Sequence, residues 1–158
     1  MELIVLTDLA VINAVLSHSA IHGDISDDLT TDSHLDHIPK KTECLGVMSN
    51  GLLHGLYFLV PMNGATVEIH TCLLPTLRGK GAVQAGKMLL SYLFDRYLKA
   101  ISFVPINNKK AKLYALTLGF RIEGINRQSF LINNELIDQC MVGLTKGDYI
   151  CQQQQQWR

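Results

Sequence analysis

The chain has 158 residues, 47% of them apolar, with 14 basic side chains against 14 acidic ones. That length fits a single domain large enough to bury a real core. Neutral net charge without a basic, aromatic-interleaved stripe argues against a nucleic-acid partner, and no apolar run reaches membrane-spanning length, so no membrane association is expected.

The opening Met1-Glu2-Leu3-Ile4 lacks the basic start of a secretory leader. Cys44, Cys72, Cys140 and Cys151 are scattered and form no CxxC pair, so free thiols in a reducing cytoplasm are expected rather than structural zinc or a disulfide framework. Charge is spread unevenly. Residues 1–39 hold Glu2, Asp8, Asp24, Asp27, Asp28, Asp32 and Asp36 but no Lys or Arg, and every basic residue lies from Lys40 onward. One part of the molecule attracts cations and another attracts anions.

In chain order, residues 2–6 read as a strand and 8–18 as a helix that Asp8 or Thr7 caps. Residues 23–38 are polar and turn-rich, with one short helix expected from about Ser26. Strands over 43–48 and 53–60 flank Ser49-Asn50-Gly51, a hairpin turn. A turn at Asn63-Gly64 precedes a β-branched, alternating strand over 65–72. Residues 82–98 carry Val83, Gly86, Leu89, Leu90, Leu93, Phe94 and Tyr97 near helical spacing. A buried strand over 100–104, a helix over 107–118 closed by Gly119, and strands over 120–124, 128–132 and 137–144 follow, with Asn133-Asn134 as a turn. Residues 1–150 form one domain, and 151–158 are expected to be a disordered or extended Gln-rich tail.

Between the fourth strand and the long helix lies Leu73-Leu74-Pro75-Thr76-Leu77-Arg78-Gly79-Lys80-Gly81-Ala82. Strand, short basic glycine-containing turn and helix together aim free backbone N–H groups and a positive helix end at one point, which suits a pyrophosphate. An ordinary surface connection is the alternative. The turn is neither a Walker A loop, since no Gly-Lys-Ser/Thr follows, nor the GxGxxG of a dinucleotide fold. His18 with His22, and His34 with His37 beside Asp32 and Asp36, have metal-compatible spacing, but nothing fixes a third ligand, so no metal is expected.

Asn107-Asn-Lys-Lys-Ala111-Lys-Leu-Tyr114-Ala-Leu-Thr-Leu-Gly119-Phe120 resembles the second motif block of the GCN5-related N-acetyltransferase (GNAT) superfamily. The Thr76–Gly81 turn is similar to that family's Arg/Gln-x-x-Gly-x-Gly/Ala acetyl-CoA loop, in the same order along the chain. The resemblance is clear over residues 43–145 and departs at Thr76, where Gln or Arg is usual. It implies an α/β GNAT fold: a mixed, mostly antiparallel twisted sheet with helices on both faces, opened into a V beside Leu74 and Ile101.

The resemblance further implies acetyl transfer from acetyl-CoA to a primary amine within a ternary complex. Amides of Arg78, Gly79, Lys80, Gly81 and Ala82 would hold the pyrophosphate, Cys72, Leu73 and Leu74 would pair with the pantetheine arm, and Asn107 would contact it from across the cleft. Tyr114 would act as general acid to the sulfur, with Glu68 or His70 as base through water. The acceptor would be a small-molecule or protein amine; the acidic N-terminal segment favours a cationic one. Family members commonly dimerise through exposed sheet edges, so a homodimer is an available assembly. Two rival readings are a catalytically inactive GNAT-like domain that binds CoA or a protein partner, and a nucleotide-binding module, the latter disfavoured by the missing Mg²⁺-binding Ser/Thr.

Overall fold

The computed structural model describes residues 1–29 and 34–155. Strands β1 (Glu2–Val5), β2 (Glu43–Ser49), β3 (Leu52–Pro61), β4 (Thr66–Leu73), β5 (Lys99–Pro105), β6 (Arg121–Ile132) and β7 (Glu135–Thr145) form one sheet in the order β1-β2-β3-β4-β5-β7-β6. Every neighbouring pair is antiparallel except β4–β5. The helices among the described residues are α1 (Leu9–Leu16), α2 (Ser19–Ile25), α3 (Lys80–Phe94), α4 (Lys109–Thr117) and α5 (Lys146–Gln155).

Alternation along β3 divides the core in two. Tyr57 and Leu59 join Val67 and Ile69 of β4 beneath the α3 stripe Ala85, Leu89, Leu90, Leu93 and Phe94. Leu56 and Phe58 turn the other way and, with Cys44 and Cys72, meet Ile12, Val15 and Leu16 of α1 and Ile21 of α2. Helices therefore cover both faces, as expected. Each fully buried aliphatic side chain contributes about 1.5–3 kcal/mol. Because the central strands are buried on both faces, a one-residue slip would exchange the two cores, and this fixes the Tyr57–Thr71 register.

Local chemistry explains the element ends. Asp8 caps α1 by accepting from the N–H groups of Ala10 and Val11. The hairpin turn places Asn50 at φ 52° and Gly51 at φ 75°, the primed geometry of tight hairpins.

Four expectations need correction. The early short helix is α2 and ends where a helix from Ser26 was expected, because His18 caps it by accepting from Ala20 N–H and Ile21 anchors it in the core. The long helix is Lys80–Phe94 rather than 82–98. The two strands over 120–132 are one strand, β6. Its irregular middle is a bulge between Asn126 and Phe130, held by the Gln128 N–H on the Asp138 carboxylate at 2.9 Å. The tail expected to be extended from Cys151 is helical through Gln155. Thr145 starts that helix by accepting from Asp148 N–H, the Tyr149 ring lies 5.0 Å from that of Phe94, and Gln152 donates to the Gly119 carbonyl.

Candidate functional site

β4 and β5 run together only at Thr66–Lys99, Val67–Ala100 and Glu68–Ile101. Past Glu68, β4 stays with β3 and β5 stays with β7, so the two strands splay. Backbone direction alternates along an antiparallel strand. Met62 N–H donates to Thr66 O and Leu74 N–H to His54 O, both at 2.9 Å, so even-numbered residues of β4 face β3 and odd-numbered ones face β5. The Ser102 hydroxyl donates to the Ile69 carbonyl at 2.9 Å and closes the last rung. Thr71 and Leu73 thus turn their backbone groups into the opening. Of Cys72, Leu73 and Leu74, Leu73 is the one so directed; Cys72 and Leu74 face β3, and Thr71 was missed by the sequence reading.

The basic turn sits at the mouth of this opening. Gly79 is the N-cap of α3 at φ 58°, and no side chain caps the helix. The Val83 N–H reaches back to Gly79 O at 3.2 Å. The N–H groups of Lys80, Gly81 and Ala82 precede that bond and have no intrahelical acceptor. A Cβ on Gly79 would meet nothing within 4 Å, so the space before the turn is open and positive φ is what requires glycine. Arg78 and Lys80 are exposed beside it. Open amides, a helix N-terminus and two cations fit a polyanion such as a pyrophosphate.

Thr76 is held from below. Its Oγ1 lies 3.0 Å from His54 Nδ1, and His54 Nε2 lies 3.3 Å from the Ser49 carbonyl. A carbonyl can only accept, so Nε2 carries a proton, and in the neutral ring Nδ1 accepts from Thr76. Next to His54, Gly55 has φ 147°, and a Cβ there would lie 2.5 Å from Cys72 O. Neither His54 nor Gly55 stood out in the sequence, where both read as ordinary strand residues.

Tyr114 reaches from α4 beneath the first turns of α3. Its hydroxyl donates to the Ala82 carbonyl at 3.1 Å and lies 2.8 Å from the hydroxyl of Tyr57. Burial pushes the Tyr114 phenol up to about 12, against a lowering by the Tyr57 hydrogen bond. Glu68 and His70 project from β4 on the opposite face, the one that Cys72 shares with α1 and α2. Glu68 Oε1 lies 3.3 Å from His70 Nε2, with side chains 17% and 52% exposed. Candidate acid and candidate bases therefore lie on opposite faces of the sheet.

Asn107 is exposed and stands outside α4, whose N-cap is Asn108 through a bond from Ala111 N–H. With Lys109 and Lys110 it lines one side of a cleft of about 310 Å³, faced by Gly23 of α2 and by Phe130 and Ile132 of β6. The far wall is clamped by Asp28, whose carboxylate accepts from Asn133 N–H at 3.2 Å and Asn134 N–H at 2.6 Å, while its own N–H donates to Leu131 O. Asp28 is thus committed to the β6–β7 turn. Among the described residues no three His, Cys, Asp or Glu side chains are placed to hold a metal; Asp32 lies outside those residues. No described helix is long and apolar enough to cross a membrane.

This is the fold of the GCN5-related N-acetyltransferases. A chimera of the Vibrio cholerae spermidine N-acetyltransferase SpeG and hSSAT matches at 23% identity, covering 96% of this chain and 99% of its own, with a TM-score of 0.77. The V. cholerae spermidine N-acetyltransferase in complex with CoA and spermine matches at 20% identity over 94% and 98% of the two chains, with a TM-score of 0.74. Mycobacterium smegmatis RimJ in complex with CoA-disulfide matches at 18% identity over 68% of this chain and 54% of its own, with a TM-score of 0.61. Comparison with curated proteins finds no match. The chain belongs to the family described as "Protein of unknown function (DUF2824)", which matches residues 10–155.

Proposed function

We propose that this protein is an acetyl-CoA-dependent N-acetyltransferase that acts on a primary amine by direct transfer in a ternary complex. The observation that carries this reading is the β4–β5 split opening onto the uncapped N-terminus of α3. The amides of Arg78 to Ala82 would hold the pyrophosphate, and Leu73, with its neighbours Thr71, Cys72 and Leu74, would line the pantetheine arm. Asn107 would contact that arm from the β5–α4 corner.

The cosubstrate supplies an activated acetyl thioester. The amine nitrogen bonds to the acetyl carbon as the carbon–sulfur bond breaks. Glu68 or His70, through water, takes the proton that the amine loses, and Tyr114 gives its proton to the leaving sulfur. Placing acid and base on opposite faces of the sheet lets attack and departure proceed from opposite sides of a thioester lying in the split. A neighbour of the same fold holds CoA and spermine, which makes polyamines the first acceptors to examine.

Calorimetric titration of acetyl-CoA, CoA and ATP into the protein and into an Arg78→Ala, Gly79→Asp double variant tests the reading. Saturable one-site binding of acetyl-CoA, lost in the variant, followed by thiol release with spermine or another amine, is the expected result. Absence of binding at millimolar acetyl-CoA would overturn it. Binding without thiol release across a broad amine panel would favour the non-catalytic CoA-binding domain.

A further inference from the structure

Tyr57 is 0% exposed and sits at the centre of β3 among Leu45, Val47 and Leu59, where packing alone asks only for a ring. A hydroxyl buried there is costly unless it is paired. Its partner is the Tyr114 hydroxyl at 2.8 Å. The direction of that bond follows from the third member of the chain. The Ala82 carbonyl can only accept, so Tyr114 spends its single hydrogen on Ala82 O. The hydrogen between the two phenols must then belong to Tyr57, which donates to the Tyr114 oxygen.

We propose that Tyr57 is a positioning residue for Tyr114, fixing its oxygen at the split and stabilising the phenolate left when Tyr114 gives up its proton. This rests on the acyl-transfer reading above. In the step, the Tyr114 proton moves from its place against Ala82 O to the leaving sulfur. The O–H bond of Tyr114 breaks, an S–H bond forms, and the negative charge passes to an oxygen that already accepts from Tyr57. The proton that Glu68 or His70 took from the amine leaves to water, and water returns one to Tyr114, so no proton is gained or lost by the enzyme over the cycle. A hydrogen bond to a charged oxygen is stronger than one to a neutral oxygen, so the Tyr57 bond tightens as the charge appears. The groups facing the Tyr114 hydroxyl are Tyr57 from β3, Ala82 and Gly86 from α3, and Leu118 on its own helix side. None of the last three can ionise, which leaves Tyr57 to oppose the effect of burial. Ala82 also belongs to the basic turn, so the position of the acid is tied to the loop that would grip the cosubstrate.

The test replaces Tyr114 with a fluorinated tyrosine, whose phenol ionises nearer neutral pH, and titrates its absorbance with Tyr57 present and in Tyr57→Phe. The phenol is expected to become a weaker acid by about tenfold when Tyr57 is lost; unchanged acidity overturns the inference, whatever the turnover. In the natural chain, Tyr57→Phe should lower kcat about tenfold at unchanged acetyl-CoA KM, and should slow a Tyr114→Phe variant no further. An equal loss in that background would make Tyr57 merely structural and overturn its role. Should Tyr57→Phe fail to fold, the Raman Fermi doublet of selectively labelled Tyr57 in the unaltered chain decides: a donor signature supports the proposal and an acceptor signature overturns it. A weakened acid together with no thiol release from any amine would instead remove the acyl-transfer reading and, with it, the catalytic role of the pair.

Discussion

The hydroxyl of Thr76 is taken up by His54, 3.0 Å away on β3. The contact joins the turn before α3 to the β2–β3 hairpin through the Ser49 carbonyl. Thr76 therefore works as a tether for the turn, and in the proposed reading the backbone amides would be the chief phosphate donors. His54→Ala removes that tether without touching the amides. Acetyl-CoA affinity is expected to fall about three- to tenfold, as the loss of one hydrogen bond worth about 1 kcal/mol implies. Calorimetry alongside a thermal melt checks this; unchanged affinity would mean that the turn is fixed by Leu77 in the core alone.

Gly55→Ala should be severe for so small a change. The new Cβ would sit 2.5 Å from Cys72 O at a φ of 147°, so β3 and β4 must part beside the turn. A loss of about 2–4 kcal/mol in denaturant unfolding is expected, from steric strain and backbone conformation together. An alanine tolerated within about 0.5 kcal/mol would show that β3 can shift there.

Asp28→Asn keeps the size of the side chain but gives up the charge that two backbone N–H groups of the β6–β7 turn now meet. Loss of about 1–2 kcal/mol is expected, with faster amide exchange at Asn133 and Asn134. Acceptor KM should rise through loosening of the cleft wall rather than through lost attraction. The same change at Asp27 separates the two causes, because a purely electrostatic pull would respond alike to both.

Alkaline conditions should unfold the protein early. Burial raises the Cys44 thiol from 9.0 to about 12, and Tyr114 from 10.0 to about 12. Both groups are neutral when protonated and hold their protons more tightly in the folded chain. Their contribution is therefore complete below pH 9 and is lost as pH rises from 9 to 12, at about 1.4 kcal/mol per pH unit for each group in its own window. Melting temperature measured across this range should fall steeply, and Cys44→Ala with Tyr114→Phe should flatten the slope. A slope unaffected by both substitutions would place the alkaline weakness elsewhere.

Much of the arrangement was legible from local pattern. Asp8 before an apolar run, Asn50-Gly51 between alternating stretches, and the helical stripe of α3 each satisfy their own backbone nearby, so neighbours in sequence suffice to read them. The Thr76–Gly81 turn and the spacing from Asn107 to Phe120 pointed to the fold through their resemblance to the GNAT motifs. α2, the bulge in β6 and the helical tail were not legible. Each depends on a partner in another element: Ile21 on the β3–β4 face, Asp138 on β7 facing the bulge, and Phe94 and Gly119 against Tyr149 and Gln152.

The same division holds at the site. The sequence by itself determined a strand, a glycine-containing basic turn and a helix, because hydrophobic period and turn chemistry act over a few residues; the mixed sheet with helices on both faces followed from the motif resemblance. Tertiary structure alone decided that β4 and β5 part after Glu68, that Thr71 and Leu73 face the gap, and that Tyr57 meets Tyr114 across 57 positions of chain. Those relationships depend on which strands pair and on where side chains from separate elements converge. Hydrogen bonds of that kind leave no periodic trace in a sequence, since a tyrosine inside an apolar strand looks the same whether its hydroxyl is met or not.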